Sequence, residues 1–418
     1  MNILFLHPNF PAQFRHLASA LAQDKQHQVI FGTTRREGHM PGVTKALYQP
    51  ARQVRAETHP YLHPLEKATL AGQAVYRMAT RLKSDGFVPD IILGHSGWGP
   101  TLFMQDLFPK AQLNCYFEWF YHAHGSDADF DPDDPLTPDD AARIRLKNTP
   151  ILTDLYSCDR GLSPTCWQRS QFPTEFQPKI TVIHDGIDTS FFKPNPDAKL
   201  VLPRIGLDLS EAQEIVTYVA RGMEPYRGFP QFIKAVALLQ ARRPKCHVVV
   251  VGQDRVAYGR TRQDGKTYKE WMLETTPLDQ SRLHFTGLLP YLEYRQVLQA
   301  SSVHVYLTRP FVLSWSMLEA MATGCIVVGS STAPVLEVIQ DGVNGLLTDF
   351  FDPVSLCDTV ETALDNPVQM NNIRANARDT ILEGYDLANL LPLQMAWLLQ
   401  MCSGSALHTS LQKTFDLA

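Results

Sequence analysis

The sequence predicts an α/β protein made of two doubly wound domains that face a central cleft. Three observations lead there. The chain has 418 residues, too many for one ordinary core and enough for two that each bury a real interior. Short apolar runs alternate with turns and amphipathic stretches in two successive series, which implies two parallel sheets covered by helices on both faces. A proline-rich seam separates the series.

The first series supplies strands at Ile3 to Leu6, Val29 to Phe31, Ile91 to Leu93, Leu113 to Phe117 and Ile180 to Ile183. The opening stretch, "MNILFLHPNFPAQFRH", has too short an apolar run and no basic leading region for a signal peptide, so it reads as a strand, a turn and a helix that opens near Pro11 to Phe14. Glu66 to Lys83 has helical spacing. After Ile183 the chain turns at Asp185-Gly186 and then carries Pro194, Pro196 and Pro203. The first domain is therefore expected over 1–185, a linker over 186–205 and the second domain over 206–386. Its strands fall at Val216 to Ala220, His247 to Val251, Leu283 to Phe285, Val303 to Leu307 and Ile326 to Val328. The apolar helix expected over Leu387 to Met401 arrives after the second sheet is complete, and the segment 387–418 is expected to cross back onto the first domain.

Composition excludes several classes. Hydrophobic residues make up 44% and charged residues 19%, with a formal charge of −5, which argues against a nucleic-acid partner. No apolar run reaches the roughly 18 residues a membrane helix needs. Seven cysteines are scattered without a C-x-x-C pair, as reduced thiols in a cytoplasmic protein are, so redox and zinc chemistry are not expected. Lys67, Arg77, Arg81 and Lys83 on the helix over 66–83 leave two readings open: a solvated basic face, or a weak peripheral contact at the inner face of a membrane.

Some motif-like stretches are set aside. "GRTRQDGKT" at 259–267 has five residues between its glycines where a phosphate loop requires four. "DADFDPDD" at 127–134 puts Pro132 where a calcium loop needs its glycine; Asp127 and Asp129 could still form a metal-holding D-x-D, although an acidic, proline-containing loop is the simpler reading. His122 and His124 lack a third ligand at zinc spacing. No G-x-G-x-x-G follows either first strand, and no G-x-S-x-G elbow is present.

Chemistry concentrates in two places. In "YVARGMEPYRGFPQF" a strand delivers Arg221, and Arg227-Gly228 follow just before an amphipathic helix, so two guanidiniums and a helix N-terminus converge at the mouth of the sheet, a setting suited to a diphosphate. In "YLTRPFVLSWSMLEAMATGCIVVG" the carboxylate Glu319 stands among apolar and small neighbours, and a buried acid needs a designated partner.

These stretches, with "VLEVIQDGVNGLL" at 335–347 and "VIHDGID" before the linker, resemble in order the motifs of the family-4 retaining glycosyltransferases of the GT-B type, over most of residues 180 to 385. The resemblance implies two Rossmann-like domains and transfer of a sugar from a nucleoside diphosphate, UDP or GDP, to an acceptor hydroxyl. It also implies no resident cofactor and no required metal. Arg221, Arg227 and Gly228 would hold the diphosphate. Backbone N–H groups over Leu313, Ser314, Trp315, Ser316, Met317 and Leu318 would face sugar and phosphate, and Glu319 would accept from the donor ribose. On the acceptor side the resemblance points to Asn9 and Gln13, and a histidine that relatives carry beside the reacting centre falls on Glu118, His122 or His124. The acceptor would be a glycan, a lipid-linked sugar or a small molecule.

Departures stand beside the matches. The first acid of the family's E-x7-E pattern is Phe311 here, its lysine is Arg227, and its P-E proline is Leu336. Two rivals stay open: a GT-B epimerase or hydrolase of sugar nucleotides, which would share the diphosphate site but need no acceptor, and, made thinkable by Phe311, a binding module without catalysis.

Overall fold

The apolar runs form strands because their residues enter cores on both faces of a sheet. The structure, a computed structural model, describes residues 1–400; residues 401–418 of the expected C-terminal segment, Met401 and Cys402 among them, lie outside the described residues. The first sheet comprises β1 (Asn2–Leu6), β2 (Gln28–Thr33), β3 (Val43–Leu47), β4 (Ile91–His95), β5 (Gln112–Tyr116), β6 (Arg160–Ser163) and β7 (Ile180–Val182). They run in the order β3-β2-β1-β4-β5-β6-β7, all parallel. On β1, Ile3 and Phe5 enter one core with Leu17 and Leu21, while Leu4 and Leu6 enter the other with Val75 and Met78.

A short antiparallel ribbon, β8 (Val201–Leu202) with β9 (Leu207–Asp208), precedes the second sheet. That sheet contains β10 (Glu214–Gly222), β11 (Cys246–Gln253), β12 (Leu283–Gly287), β13 (Val303–Tyr306), β14 (Ile326–Ser330) and β15 (Leu346–Thr348), in the order β12-β11-β10-β13-β14-β15, again all parallel. Val248 and Val250 pack with Phe229 and Phe232, whereas Val249 and Val251 pack with Met317 and Leu318 on the opposite face. Two-sided burial explains why these strands read as continuous apolar runs.

Sequence patterning does not announce β3, β6 and β15. Arg160–Ser163 and Leu346–Thr348 are too short for periodicity, and β3 is an edge strand with its polar Thr44 and Lys45 only partly covered. The helix over Glu66 to Lys83 extends over His63–Ser84, with Pro64 in its first turn and Arg81 and Lys83 in its last. Lys67, Arg77 and Arg81 are exposed on it, while Lys83 donates to the Leu107 carbonyl at 3.1 Å. No described helix is long and apolar enough to cross a membrane.

The chain crosses between the sheets twice. It leaves the first through Ile183 to Ile187 and returns at Tyr385 to Leu387, where Ile187 N–H donates to Tyr385 O (2.8 Å) and Leu387 N–H to Ile187 O (2.9 Å). Gly186 has φ 87°, and a Cβ there would stand 2.9 Å from Leu387 Cα, so glycine lets the crossings touch. The helix Leu387–Leu399 then buries Leu390, Trp397 and Leu398 against Ile3, Phe5 and Leu21 of the first domain. Gln394 donates to His184 O (2.6 Å) and Trp397 Nε1 to Thr181 Oγ1 (3.1 Å).

Leu398→Ala removes a fully buried side chain from this junction. The expected loss is roughly 2–5 kcal/mol, read by urea denaturation as a lower midpoint for the first domain. An unchanged midpoint would mean that the returning helix does not support that core.

Candidate functional site

All thirteen strands of the two large sheets are parallel, so every loop leaving a carboxyl end emerges on the same edge of its sheet. On the second-domain wall, β10 delivers Arg221, which is exposed. Arg227 is 6% exposed, and its Nη1 donates to Tyr306 Oη (3.0 Å), Thr308 Oγ1 (2.7 Å) and Val312 O (3.0 Å). Arg227 thus ties the loop after β10 to the one after β13. Gly228, at φ 62°, opens the helix Phe229–Arg242, and a Cβ there would lie 2.6 Å from Leu307 Cβ.

The loop after β13 leads into the helix Trp315–Ala322. Ser314 N–H donates to Tyr306 Oη at 2.8 Å, and the Ser314 side chain caps Ser316 N–H. Met317 and Leu318 are wholly buried core residues, Leu313 is nearly so, and Trp315 donates from Nε1 to Asp185 Oδ2 at 2.9 Å. Glu319, 6% exposed, finds its partners in Tyr294 (Oη to Oε2, 2.6 Å) and Tyr291 (Oη to Oε1, 3.2 Å). Burial pushes the Glu319 carboxyl up to about 6 despite those two donors and the nearby Arg15 charge. Arg15, from the first domain, lies over the Tyr291 ring at 5.1 Å.

These groups border a cavity of about 140 Å³ between the domains, lined among others by Gln13, Arg15, Asp185, Tyr291, Trp315 and Glu319. Asp185 accepts from both Trp315 and Tyr116 Oη (3.1 Å), and desolvation pushes its carboxyl up to about 7.

On the first-domain wall, His7 directly follows β1, His95 ends β4, and Glu118 lies two residues beyond β5. Glu118 accepts from Gln13 Nε2 at 2.9 Å, and its other oxygen lies 3.5 Å from His95 Nε2. Burial alone would raise the Glu118 carboxyl, but His95, Gln13 and the Arg221 charge across the cleft outweigh it and hold it below the usual range. Asn9 N–H donates to His7 Nδ1 at 2.8 Å, and Asn9 Oδ1 accepts from Arg35. The other two histidines lie elsewhere: His122 Nε2 meets the Gln171 carbonyl at 2.7 Å, and His124 is an exposed partner of Asp129. Of the three alternatives, Glu118 is therefore the one that shares a cluster with Gln13 and faces Arg221. His95 and His7 escaped the sequence reading; each is a polar residue at the carboxyl end of a buried strand or one step past it, and that position was the available signal.

The acidic loop reaches the second domain. Asp127, 3% exposed, accepts from Tyr226 Oη (2.9 Å) and Ser126 Oγ (3.1 Å), and Asp129 accepts from the N–H groups of Gly125 and Ser126. Asp131 pairs with Arg309 Nη2 at 2.6 Å, and Phe130 packs on Phe350 and Phe351. Residues 126–131 of the first domain thus clasp the second. Phe311, where the family motif would carry its first acid, joins Trp119, Tyr226 and Tyr258 at ring distances of 5.0–5.4 Å, and Trp167 Nε1 donates to its carbonyl (3.1 Å). An aromatic cluster spanning both domains occupies that position. Cys357, Asp358 and Glu361 cluster at metal-ligand spacing, but Arg242 donates to both carboxylates (2.6 and 2.7 Å) and already supplies a cation there.

Residues 25–192 match the family described as "Glycosyl transferase family 4 group", and residues 204–380 match "Glycosyl transferases group 1". The D-inositol 3-phosphate glycosyltransferase of Corynebacterium efficiens is 26% identical over 190 residues, 45% of this chain and 43% of that protein. Its counterpart in Streptomyces avermitilis is 22% identical over 259 residues, 60% and 53% of the two chains. The chain spans about half the length of the curated relatives it matches. Among solved structures, HepE from Anabaena in complex with UDP superposes with a TM-score of 0.67 at 16% identity, covering 96% of this chain and all of that one. Sucrose-phosphate synthase from Thermosynechococcus elongatus gives 0.68 at 18%, covering 95% and 98%. At these identities the structural likeness establishes the two-domain fold.

The clasp makes its own prediction. Arg309 is 2% exposed, so Asp131→Ala leaves a buried cation unpaired, a change that costs about 3–5 kcal/mol in comparable pairs. The expected outcome is a more open cleft, seen as a larger radius of gyration by small-angle scattering and faster amide exchange over residues 126–131. Unchanged exchange there would show that the loop does not hold the domains together.

Proposed function

Since the chain belongs to the family-4 glycosyltransferases and has their two-domain GT-B architecture, we propose that it moves a sugar from a nucleoside diphosphate to an acceptor hydroxyl with retention of anomeric configuration, in glycan or glycoconjugate synthesis. The observation that carries this reading is the interdomain cavity. One of its walls holds the Glu319 carboxylate, and the other holds Gln13, which donates to Glu118. HepE was crystallised with UDP and with UDP-glucose, which supports UDP ahead of GDP as the nucleotide.

Each residue then has a task. Glu319 accepts from the ribose hydroxyls; a carboxylate has about four lone-pair positions, and the tyrosines use two. Arg221, exposed at the cleft and felt by Glu118 and His7, neutralises charge that grows on the departing diphosphate. The proposal assigns the Nη2 and Nε donors of Arg227 to the same phosphates, with Nη1 anchoring the loop. The acceptor enters on the face of departure, where a diphosphate oxygen can take its proton, and Glu118 with His95 orients it. Asp127 and Asp129 are committed to Tyr226, Ser126 and backbone donors, which supports guanidinium rather than metal neutralisation of the leaving group. Phe311 and its ring cluster support altered sugar recognition, and a binding module without turnover remains the rival that Phe311 favours.

The binding half is tested at Glu319. Below pH 6 the carboxyl carries its proton and loses acceptor strength; above it, the ionised form receives both hydroxyls. Nucleotide affinity by calorimetry is expected to rise with pH through about 6. Glu319→Gln should flatten that dependence and weaken binding by roughly 1.5–3 kcal/mol per charge-assisted bond lost. Equal affinity in wild type and variant would remove Glu319 from the nucleotide site.

The chemical half is tested by product analysis in excess EDTA with a panel of nucleotide sugars. NMR of the first-formed product is expected to show the donor's anomeric configuration retained, and Arg221→Ala to lower kcat as well as donor affinity. An inverted product, or turnover that returns only with manganese, overturns the mechanism; nucleotide release without any acceptor identifies a hydrolase, and binding without release a module.

A further inference from the structure

A buried carboxylate stays ionised only with donors or a cation beside it, and Glu319 draws on both domains for them. The acid sits on the helix Trp315–Ala322 of the second domain. Its oxygens are held unequally: Tyr294 Oη stands 2.6 Å from Oε2, whereas Tyr291 Oη stands 3.2 Å from Oε1. Oε1 is therefore the more loosely engaged oxygen. Tyr294 is a core residue, but Tyr291, which opens the helix Tyr291–Gln299, is 42% exposed and rests on Phe191 and Phe192 of the linker with ring centres 5.7 Å away. One face of the Tyr291 ring is left for a group from elsewhere.

That group is Arg15. Its guanidinium lies 5.1 Å from the centre of the Tyr291 ring, and Arg15, Tyr291 and Glu319 line the same interdomain cavity. Arg15 opens the helix Arg15–Gln23, which is fixed to the first domain because Phe14, Leu17 and Leu21 are buried in that domain's core. The other charges around Glu319 are engaged elsewhere. Arg374 and Arg378, from the helix Pro367–Gly384 packed against that of Glu319, donate to the Gly324 and Ala322 carbonyls at its far end. Arg295 lies over Phe191 at 4.4 Å. Two anions line the cavity and would oppose ionisation of a third: Asp185 accepts from Trp315 and Tyr116, and Asp188 from Ser190 Oγ (2.6 Å) and Phe191 N–H (3.0 Å). Burial and the adjacent Arg15 charge hold the His16 imidazole below its usual range, toward the neutral form. Arg15 is thus the cation whose field acts on Glu319.

We propose that Arg15 is a positioning residue for the nucleotide: from the first domain it seats Tyr291 against Glu319 and supplies the positive charge that this buried carboxylate otherwise lacks. Glu319 then meets the ribose hydroxyls as an anion, with Oε1 free to take the larger share. The second-domain nucleotide site is complete only with the first domain in place. The proposal rests on the assignment of Glu319 to the ribose made above, whereas the coupling of Arg15 to Glu319 does not.

Two measurements on the full chain test it. Carboxyl-carbon NMR of labelled glutamates, with the Glu319 signal identified by its absence in Glu319→Gln, follows protonation of this acid in the free protein. Its midpoint is expected near pH 6 in the wild type, higher in Arg15→Gln, which removes the charge and keeps the stem, and close to wild type again in Arg15→Lys. Calorimetry with UDP or GDP should then find the affinity of Arg15→Gln lower by about two- to threefold at pH 6 and converging on wild type by about pH 8, where Glu319 is ionised in both; Arg15→Lys should recover it. A merely structural loss would weaken binding by the same factor at every pH. Thermal melts of each variant verify folding. An unmoved Glu319 midpoint in Arg15→Gln, nucleotide affinity at pH 6 equal to a pH-dependent wild type, a deficit that does not vary with pH, or a lysine variant that behaves like the glutamine one overturns the proposal. A midpoint that moves as expected while the wild type binds neither nucleotide, or binds it indifferently to pH, removes Glu319 from the ribose and leaves the coupling across the cleft standing.

Discussion

Parallel pairing is the constraint on which the rest of this molecule depends. Because each strand runs the same way as its neighbours, each sheet gathers its carboxyl-terminal loops at one edge. Two such edges, set face to face by a double crossing pinned at Ile187, Tyr385 and Leu387, place residues far apart in sequence within one cleft. Gln13, Asp185 and Glu319 line a common cavity for that reason. Parallel sheets must also be covered on both faces, and the returning helix Leu387–Leu399 completes the cover of the first domain.

Burial of charge is the second organising cost. Arg227, Arg309 and Glu319 are each 6% exposed or less, and each has been given specific partners rather than water. Arg227 and Glu319 are served largely by neutral donors and acceptors, hydroxyls and a carbonyl, so their charges are not cancelled and stay available to a ligand. Arg309 is neutralised by Asp131 from the opposite domain. The first kind of burial suits a binding site; the second suits a joint. Phe311 follows the same logic, since a carboxylate among Trp119, Tyr226 and Tyr258 would be desolvated by those rings.

The two walls differ in character. The second-domain wall is built on charge: guanidiniums, a helix start and a carboxylate held by tyrosines. Opposite it stand the packed imidazoles of His7 and His95 beside one acid, Glu118. A cationic wall suits a leaving diphosphate. The Arg221 field reaches Glu118 and His7 and so couples the two walls.

The sequence by itself determined the fold class, because it rests on local signals: apolar runs of strand length with glycine and proline punctuation between them; the same signals singled out Arg221, Arg227 and Glu319 as charges at the ends of strands or among apolar neighbours. Strands β3, β6 and β15 were illegible for the same reason, being too short or too polar for a period to emerge. The choice of Glu118 over His122 and His124 was beyond sequence, since the three lie within seven residues and differ only in which way the chain turns after β5. Likewise nothing local distinguishes an acidic surface loop from one whose Asp127 and Asp131 reach Tyr226 and Arg309 across the cleft, partners about a hundred and nearly two hundred residues away. The cluster of His7, His95, Gln13 and Glu118 is a tertiary fact in the same sense: it exists only once β1, β4 and β5 lie side by side.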